Sequence, residues 1–233
     1  MPFIVLEGLD GAGKTTQLEL LKDHLSRSGY GYEYLHFPRF DSPVYGGLIA
    51  RFLRGESGPV ESVDPYLVAL LFAGDRADAA PMIRKWLAGG KYVITDRYVY
   101  SNTAFQCAKL DGRDKQQELK EWILDLEFGT NDLPVPDVSL FLDVPFSFTR
   151  SRLTTRREGE DRAYLCGGTD IHENSLDLQR RVREVYLGCA SEGKGLDIVD
   201  CSDGNGAIDT PANNFAKIVE AVRRSVPGVP PLK

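Results

Sequence analysis

The feature that most constrains this chain is a glycine-rich motif that lies between an apolar run and an amphipathic stretch. Residues 3–6 have the length and composition of a strand, and Gly8–Thr15 fits the pattern G-x-x-x-x-G-K-[ST]. Leucines at 18, 21 and 25 share one face of a predicted helix over residues 15–28, which Gly29 ends. Glycines let successive N–H groups turn toward one centre at a helix N-terminus. The motif therefore predicts a phosphate-binding loop between a strand and a helix.

The rest of the chain repeats the alternation of apolar runs and helical patterns. Further strands are predicted at 34–37, 92–95 and 138–142 and around Ile198. This alternation favours an α/β fold, a five-stranded parallel sheet flanked by helices. Asp64 and Pro65 predict the N-cap and first residue of a helix, and Pro81 predicts a break or kink in it. We expect one domain over residues 1–226 and a frayed, proline-rich tail over 227–233.

The composition of the chain limits the cellular location and the kinds of partner that we expect for it. The formal net charge of −6 argues weakly against nucleic-acid binding, which depends on clustered Lys and Arg. No apolar stretch approaches the ~20 residues that span a bilayer, and no leader sequence is visible. The four cysteines show no C-x-x-C spacing, so we expect reduced thiols rather than a zinc site or disulfides. These features predict a cytoplasmic protein with neither a membrane nor a nucleic acid as partner.

The phosphate-binding loop suggests specific roles for its residues. Lys14 can reach the β- and γ-phosphates of a nucleotide, and the Thr15 hydroxyl can ligate Mg²⁺. The predicted ATP-binding residues are Gly8, Asp10, Gly11, Ala12, Gly13, Lys14, Thr15 and Thr16 of this loop, together with Arg150 further along the chain. Motor ATPases, GTPase switches and small-molecule kinases all use such a loop, so the loop alone does not name a reaction.

A second constellation follows the predicted third strand. Asp96 ends that strand beside the loop strand and can hold Mg²⁺ directly or through water, because ligands collect at this edge of a parallel sheet. Arg97 and Arg39 each follow a strand, so both can point into the cleft and clamp one phosphate. The chain lacks the N-K-x-D run that a guanine-binding switch uses. A motor ATPase typically has a second acidic residue where this chain has Arg97.

Four segments, in order, resemble thymidylate kinases. Residues 96–106 (DRYVYSNTAFQ) look like that family's D-R-[YH]-x-x-S-x-x-A-[YF]-Q. Residues 8–10 resemble its phosphate-binding loop with an acidic third residue, 37–39 its F-P-R, and 70–76 its L-L-F-x-x-x-R helix. The resemblance implies a P-loop kinase fold with a lid at about 150–170. It also implies Mg²⁺ as cofactor, ATP and dTMP as substrates, and a homodimer.

The resemblance also implies an acceptor pocket. Arg39 and Arg97 would hold the dTMP phosphate. Phe72 and Arg76, four apart on one helix face, would stack on the pyrimidine and donate to thymine O4. Ser101 and Asn102 are candidates for the base edge. Phe105 resembles the aromatic beneath the sugar that excludes a 2′-hydroxyl, and Asp10 the carboxylate at the 3′-hydroxyl or the metal shell.

An arginine-rich segment over residues 150–162 follows the predicted fourth strand, where the family's lid begins. Some family members place a catalytic arginine in the phosphate-binding loop, where this chain has Gly11. The positive charge should then come from the lid, with Arg150 as first choice and Arg156 or Arg157 next. The predicted catalytic set is therefore Lys14, Asp10, Arg97 and Arg150.

Two other interpretations remain open from the sequence. One is a kinase for another deoxynucleotide or a deoxynucleoside, although deoxynucleoside kinases typically show E-R-S where this chain has residues 96–98. The other is a nucleotide-binding switch that turns over slowly. The two phosphate-binding arginines and the predicted lid argue against a switch.

Overall fold

The computed structural model describes residues 2–154, 160–165, 170–173 and 175–230, with the side chains of 61 and 160–162 excepted. Its centre is a five-stranded parallel sheet in the order β2-β3-β1-β4-β5, which confirms the predicted fold class. The strands are β1 (Phe3–Glu7), β2 (Tyr32–His36), β3 (Tyr92–Asp96), β4 (Val138–Asp143) and β5 (Leu196–Asp200). Strand β2 begins two residues before the predicted run.

Helices connect the strands. They are α1 (Lys14–Arg27), α2 (Tyr45–Leu53), α3 (Pro65–Ala88), α4 (Val99–Cys107), α5 (Arg113–Leu124), α6 (Phe146–Thr154), α7 (Leu176–Ser191) and α8 (Pro211–Ser225). Short 3₁₀ segments lie at Val60–Ser62 and Glu160–Leu165, and a π-helical turn, Asp125–Thr130, extends α5. Among the residues described, no helix combines the length and apolar character needed to cross a bilayer.

The central strand is buried on both faces, as helices on both sides of a parallel sheet require. Ile4 and Leu6 belong to one core cluster, which also takes residues of α1, α7 and α8. Phe3 and Val5 point to the other cluster, which takes residues of α3 and α5. The alternating pattern of β1 therefore joins the two halves of the core.

Helix α3 shows one correct and one wrong sequence prediction. The Asp64 side chain accepts a hydrogen bond from Tyr66 N at 2.7 Å and Pro65 begins the helix, as predicted. The helix then runs unbroken for 24 residues through Pro81, so the predicted break is wrong. A proline removes one backbone donor from a helix. Here residues such as Ala80 and Ile83 are buried in the core around it and keep the helix in place.

The described part of the predicted frayed tail packs against the domain. Val229 is 2% exposed, and the carbonyl of Pro230 lies 3.0 Å from His24 Nε2. The carbonyl of Gly228 accepts from Tyr92 OH at 3.4 Å. Residues 231–233 lie outside the described residues.

The ends of three neighbouring strands define where a site can form. Leu6 and His36 both pair with Asp96 in the sheet register, so β1, β2 and β3 end at the same level. The phosphate-binding loop follows β1 at this edge. Strands β3 and β4 flank β1 on opposite sides, which gives the switch point where ligands bind in open parallel sheets.

Candidate active site

The loop after β1 forms an anion-binding turn at the start of α1. Gly11 and Gly13 have φ of 74° and 84°, backbone conformations that residues other than glycine rarely adopt. The Lys14 ammonium bends back over the loop, donating to the carbonyls of Gly8 (3.4 Å) and Leu9 (3.2 Å). Burial lowers the pKa of Lys14, against nearby carboxylates that raise it. The loop thus combines backbone donors with a buried lysine side chain.

A cavity of about 310 Å³ opens beside this loop. It is lined by most of the sequence-predicted site, namely Asp10, Gly11, Ala12, Gly13, Lys14, Thr15, Thr16, Phe72, Arg76, Asp96, Arg97, Ser101, Asn102 and Phe105. Three predicted residues do not line it: Gly8, Arg39 and Arg150. The rest of the lining consists of His36, Phe37, Pro38, Phe40, Leu53, Gln106, Arg152, Tyr164, Asp170, His172 and Glu173.

Asp96 lines the cavity, and one of its carboxyl oxygens accepts no hydrogen bond from the described residues. Its Oδ2 is 3.3 Å from His36 Nδ1, whereas Oδ1 is buried, has no hydrogen-bond partner among the described residues and lies 3.9 Å from Lys14 Nζ. Burial alone would raise the pKa of Asp96, but Lys14, His36 and Arg97 outweigh it and bring the pKa to about 2. The Asp96 carboxylate and the Thr15 hydroxyl line the same cavity and are oxygen ligands of the kind that Mg²⁺ prefers.

The donor set fits a magnesium ion that is shared with a nucleotide. In the described part of the chain, no group of three or more His, Cys, Asp or Glu residues is arranged so that it could hold a metal ion. Mg²⁺ in phosphoryl-transfer enzymes commonly takes one or two protein oxygens and completes its shell with phosphates and water. Asp96 and Thr15 are compatible with that arrangement.

Arg97 is held in a strained backbone conformation by contacts on both sides. Its φ is 67°, uncommon for a residue other than glycine, Asn or Asp, and its N–H donates to Leu6 O at 2.9 Å. Its NH2 donates to Asp10 Oδ1 at 2.7 Å and its NH1 to Ser101 Oγ at 3.1 Å. The guanidinium carbon lies 5.1 Å from the centroid of the Phe105 ring. Such outliers cluster at functional sites, and this one aims a cation at the cavity.

Ser101 is engaged away from the predicted base edge. Its hydroxyl donates to Glu7 Oε2 and also contacts Tyr186 OH at 2.8 Å. Burial raises the pKa of Glu7, while Ser101, Arg97 and Tyr186 lower it. The predicted contact between Ser101 and a base therefore has no support in the geometry, because the hydroxyl serves Glu7 and Arg97.

Arg76 and Asn102 meet on a buried acidic residue that the sequence analysis did not single out. Glu127 is 0% exposed and receives two arms of Arg76, one of them at 2.7 Å. Asn102 Nδ2 donates to Glu127 at 2.8 Å and to Ala69 O at 3.0 Å, while its Oδ1 is buried with no hydrogen-bond partner among the described residues. Arg76 and Asn102 line the cavity together with Phe72, and Glu127 holds both of them in place.

Arg39, predicted as a second phosphate clamp, faces helix α3 instead. Its Nε donates to Asp75 Oδ1 at 2.9 Å, and its NH2 donates to Asp75 O at 2.8 Å and Asp78 Oδ2 at 2.6 Å. Asp75 also accepts the Arg39 N–H at 2.9 Å. These contacts fasten the loop after β2 to α3 and leave Arg39 outside the cavity lining.

The cavity is lined by a different α6 arginine from the one predicted. Arg150 and Arg152 are both exposed, but only Arg152 lines the cavity. Residues three to four apart share a helix face and those two apart do not, so only one of these two faces the cavity. Arg156 and Arg157 lie outside the described residues.

Beyond α6, Tyr164 and Asp170 help to close the cavity. The Tyr164 ring stacks on Phe40 with centroids 3.8 Å apart, and its hydroxyl donates to Asp170 at 2.6 Å. Burial, followed by the charge of Asp10, raises the pKa of Asp170 to about 7.

His172 forms a further wall that sequence reasoning missed. Its ring stacks on Phe105 with centroids 5.0 Å apart, and its Nε2 is buried without a hydrogen-bond partner among the described residues. Gln179 bridges His172 O (3.1 Å) to Asp10 Oδ2 (2.8 Å). In the sequence, the signal for this wall was its position among the acidic and aromatic residues that follow the arginine-rich segment.

A phosphate-binding loop, a strand-end Asp-Arg pair and a cavity between them define a P-loop nucleotide kinase. The family model described as thymidylate kinase matches residues 6–209. A thymidylate kinase from Mycobacterium tuberculosis (strain ATCC 25618 / H37Rv) is 34% identical over 192 residues, 82% of this chain and 87% of that protein. A probable thymidylate kinase from Thermococcus kodakarensis is 34% identical over 226 residues, 94% and 98% of the two chains. The chain belongs to the thymidylate kinase family.

A solved structure gives the same result at the level of the fold. The thymidylate kinase of Candida albicans, a protein described as having broad substrate specificity, superposes with a TM-score of 0.70 at 26% identity. The alignment covers 96% of this chain and 91% of that one.

Proposed function

We propose that the reaction of this family, phosphorylation of dTMP by ATP, takes place in this chain at the cavity where β1 and β3 end. The observation that carries the proposal is the position of Arg97. It is a fixed cation that lines the same cavity as the phosphate-binding loop and contacts Asp10 of that loop. The donor and acceptor phosphates would meet between these two elements, which gives the proximity that phosphoryl transfer requires.

On the donor side, the Lys14 ammonium and the loop N–H groups of Gly11 and residues 13–15 bind the ATP phosphates, while the Ala12 N–H donates to Leu9 O within the loop. The Lys14 ammonium leaves its carbonyl contacts at Gly8 and Leu9 for the more highly charged phosphates. Thr15 and Asp96 would hold Mg²⁺, which when bound neutralises and orients the phosphate oxygens.

On the acceptor side, Arg97 binds the dTMP phosphate and Asp10 lies next to it for the sugar 3′-hydroxyl. Arg76 donates to thymine O4. The Asn102 Oδ1, which is buried and has no hydrogen-bond partner among the described residues, turns toward the base and accepts the thymine N3–H. This donor–acceptor pair reads the edge that thymine and uracil present and that cytosine inverts. Phe72 stacks on the base.

No general base is needed for the transfer, because the acceptor phosphate is already an anion near neutral pH. The dTMP phosphate oxygen attacks the γ-phosphorus, the bond to the ADP oxygen breaks, and no covalent enzyme intermediate forms. Of the described lid arginines, Arg152 is the one placed to neutralise charge on the moving phosphoryl group.

The experiment is to measure binding of dTMP and of ATP separately to Arg97→Ala. We expect the Kd of dTMP to rise about 100-fold, since a charge-assisted hydrogen bond contributes about 1.5–3 kcal/mol, and the Kd of ATP to change less than about threefold. Arg84→Ala is the matched control, because Arg84 is exposed and pairs with Asp132 outside the cavity. An equal loss of both ligands would contradict the assignment of Arg97 to the acceptor.

We also propose a homodimer built on α2 and α3. These two helices pack together and carry large exposed apolar side chains, Val44 (63%), Leu48 (49%), Leu67 (65%) and Leu70 (49%). Pairs three or four apart fall on one helix face, so each helix presents an apolar stripe.

Leu67→Glu should shift the mass in solution to that of a monomer. Val135→Glu should not, because Val135 is exposed (71%) on a different segment. A wild-type monomer at micromolar concentration would refute the proposal. A cytoplasmic location remains a proposal from sequence.

A further inference from the structure

Glu7, the last residue of β1, is a buried acidic residue that does not line the cavity. It is 0% exposed, and both of its carboxyl oxygens accept two hydrogen bonds. Oε1 accepts from Tyr98 N (2.9 Å) and Ser101 N (3.2 Å), and Oε2 accepts from Ser101 Oγ and Tyr186 OH (3.0 Å). Burying a carboxyl group away from water costs free energy, and here hydrogen bonds to both oxygens offset that cost. The groups that Glu7 holds in place through these bonds therefore indicate its role.

The first thing that Glu7 fixes is the backbone turn at Arg97. That residue has a φ of 67°, a conformation that costs about 1–3 kcal/mol unless the surroundings enforce it. Consecutive amides of the turn bond to consecutive residues of β1: Arg97 N donates to Leu6 O, and Tyr98 N to Glu7. The end of the loop strand therefore imposes the turn that follows β3.

The second thing that Glu7 fixes is the direction of the Arg97 side chain. The Ser101 hydroxyl donates its hydrogen bond to Glu7, and its oxygen accepts one from Arg97 NH1 at 3.1 Å. The other arm of the guanidinium bonds to Asp10 at 2.7 Å. Two hydrogen bonds, one to Ser101 on α4 and one to Asp10 in the phosphate-binding loop, thus hold the Arg97 guanidinium.

We propose that Glu7 is a positioning residue for phosphate recognition: it holds the strained turn and orients the Ser101 hydroxyl, and both aim the Arg97 guanidinium at the acceptor phosphate. The inference rests on the proposed role of Arg97. Glu7 touches neither substrate, so its effect is transmitted entirely through Arg97. Preorganisation of this kind lets a site bind an anion without reorganising first.

The test is steady-state kinetics with Glu7→Gln and Ser101→Ala. The glutamine keeps the shape of the side chain but turns one acceptor into a donor that faces other donors. We expect KM for dTMP to rise about 10- to 100-fold for Glu7→Gln and by less for Ser101→Ala, with KM for ATP within about twofold of wild type. Thr103→Val is the matched control: its buried hydroxyl lies on the same helix, bonds only to Val99 O among the described residues, and is outside the cavity lining.

A double-variant cycle separates this inference from the proposed role of Arg97. Adding Glu7→Gln to Arg97→Gln should cause no further rise in KM for dTMP, because Glu7 acts through Arg97. Additive effects, or an unchanged KM for dTMP in both Glu7→Gln and Ser101→Ala, would overturn the inference and leave Arg97 in place. Normal use of dTMP by Arg97→Gln would overturn both. If Glu7→Gln does not fold, Ser101→Ala alone decides, by the same split between the two KM values.

Discussion

Replacing Glu127 by Gln should separate what the buried ion pair does for stability from what it does for the substrate. Arg76 and Glu127 are 2% and 0% exposed, and the carboxylate also accepts from Asn102. Glu127→Gln preserves volume but leaves the guanidinium buried with one acceptor in place of a carboxylate. Breaking a buried pair by removing one partner costs about 3–5 kcal/mol. Because the amide retains one acceptor, we expect the low end, about 3 kcal/mol.

Thermal unfolding checks this magnitude. For a chain of this size, 1 kcal/mol shifts Tm by about 2–4 °C, so Glu127→Gln should melt about 6–12 °C below wild type. Asp132→Asn is the matched control, because it breaks an arginine pair whose side chains are 44% and 89% exposed. Exposed pairs contribute about 0–1 kcal/mol, so this control should melt within about 4 °C of wild type.

A double substitution then isolates the functional part. Arg76→Met with Glu127→Leu removes both charges and should recover at least half of the lost stability, since an apolar pair of similar volume often replaces a buried ion pair at little cost. Turnover with dTMP should nevertheless stay at least about tenfold below wild type, because the donor to thymine O4 is gone. A Glu127→Gln protein that melts like wild type would refute the reasoning, as would a double variant that recovers full activity.

Three further predictions follow from single residues. In an assay of ADP release, Arg152→Ala should lower kcat at least about tenfold with little change in KM for dTMP, whereas Arg150→Ala should stay within about twofold of wild type. A larger loss of kcat in Arg150→Ala than in Arg152→Ala would contradict the role proposed for Arg152. The pKa of Asp170 is raised from 3.8 to about 7, so its protonated form stabilises the fold fully below pH 4 and this contribution is lost as the pH rises through 7. Between pH 5 and 8 in urea unfolding, wild type should therefore lose about 3 kcal/mol relative to Asp170→Asn, because the loss of about 1.4 kcal/mol per pH unit stops once the pH passes 7, and parallel curves would contradict this. A Cβ on Gly46 would overlap the main chain of the preceding loop, whereas one on Gly47 meets open space. Gly46→Ala should thus destabilise by about 1–3 kcal/mol, and Gly47→Ala should be neutral or stabilising by up to about 1 kcal/mol, in the same urea assay.

The elements that sequence predicted well are those encoded over a few neighbouring residues. The phosphate-binding loop needs glycines at fixed spacing between a strand and a helix, and Gly11 and Gly13 have the positive φ values that this requires. The Asp64–Pro65 helix start is equally local. Asp96 and Arg97 could be placed because the ends of parallel strands meet at one edge.

The parts that sequence did not reach depend on partners far along the chain. Glu127 lies 51 residues from Arg76, in a π-helical turn that no local pattern announced. Arg39 looked like a phosphate ligand until the packing of α3 brought Asp75 and Asp78 against it. In α6 the spacing of arginines was visible, but only the packing of the helix shows that Arg152 rather than Arg150 lines the cavity.

The most direct test of the central claim is the rate of ADP formation by the purified protein with Mg-ATP and a panel of acceptors. The panel compares dTMP with dUMP, the ribose form of TMP, dCMP and thymidine. We predict the highest kcat/KM for dTMP and a lower value for dUMP. Turnover with dCMP should be small because Arg76 and Asn102 cannot pair with the edge of cytosine. Turnover with thymidine should be small because it lacks the phosphate that Arg97 binds. A preference for thymidine or dCMP, or no turnover with any acceptor despite tight ATP binding, would contradict the central claim.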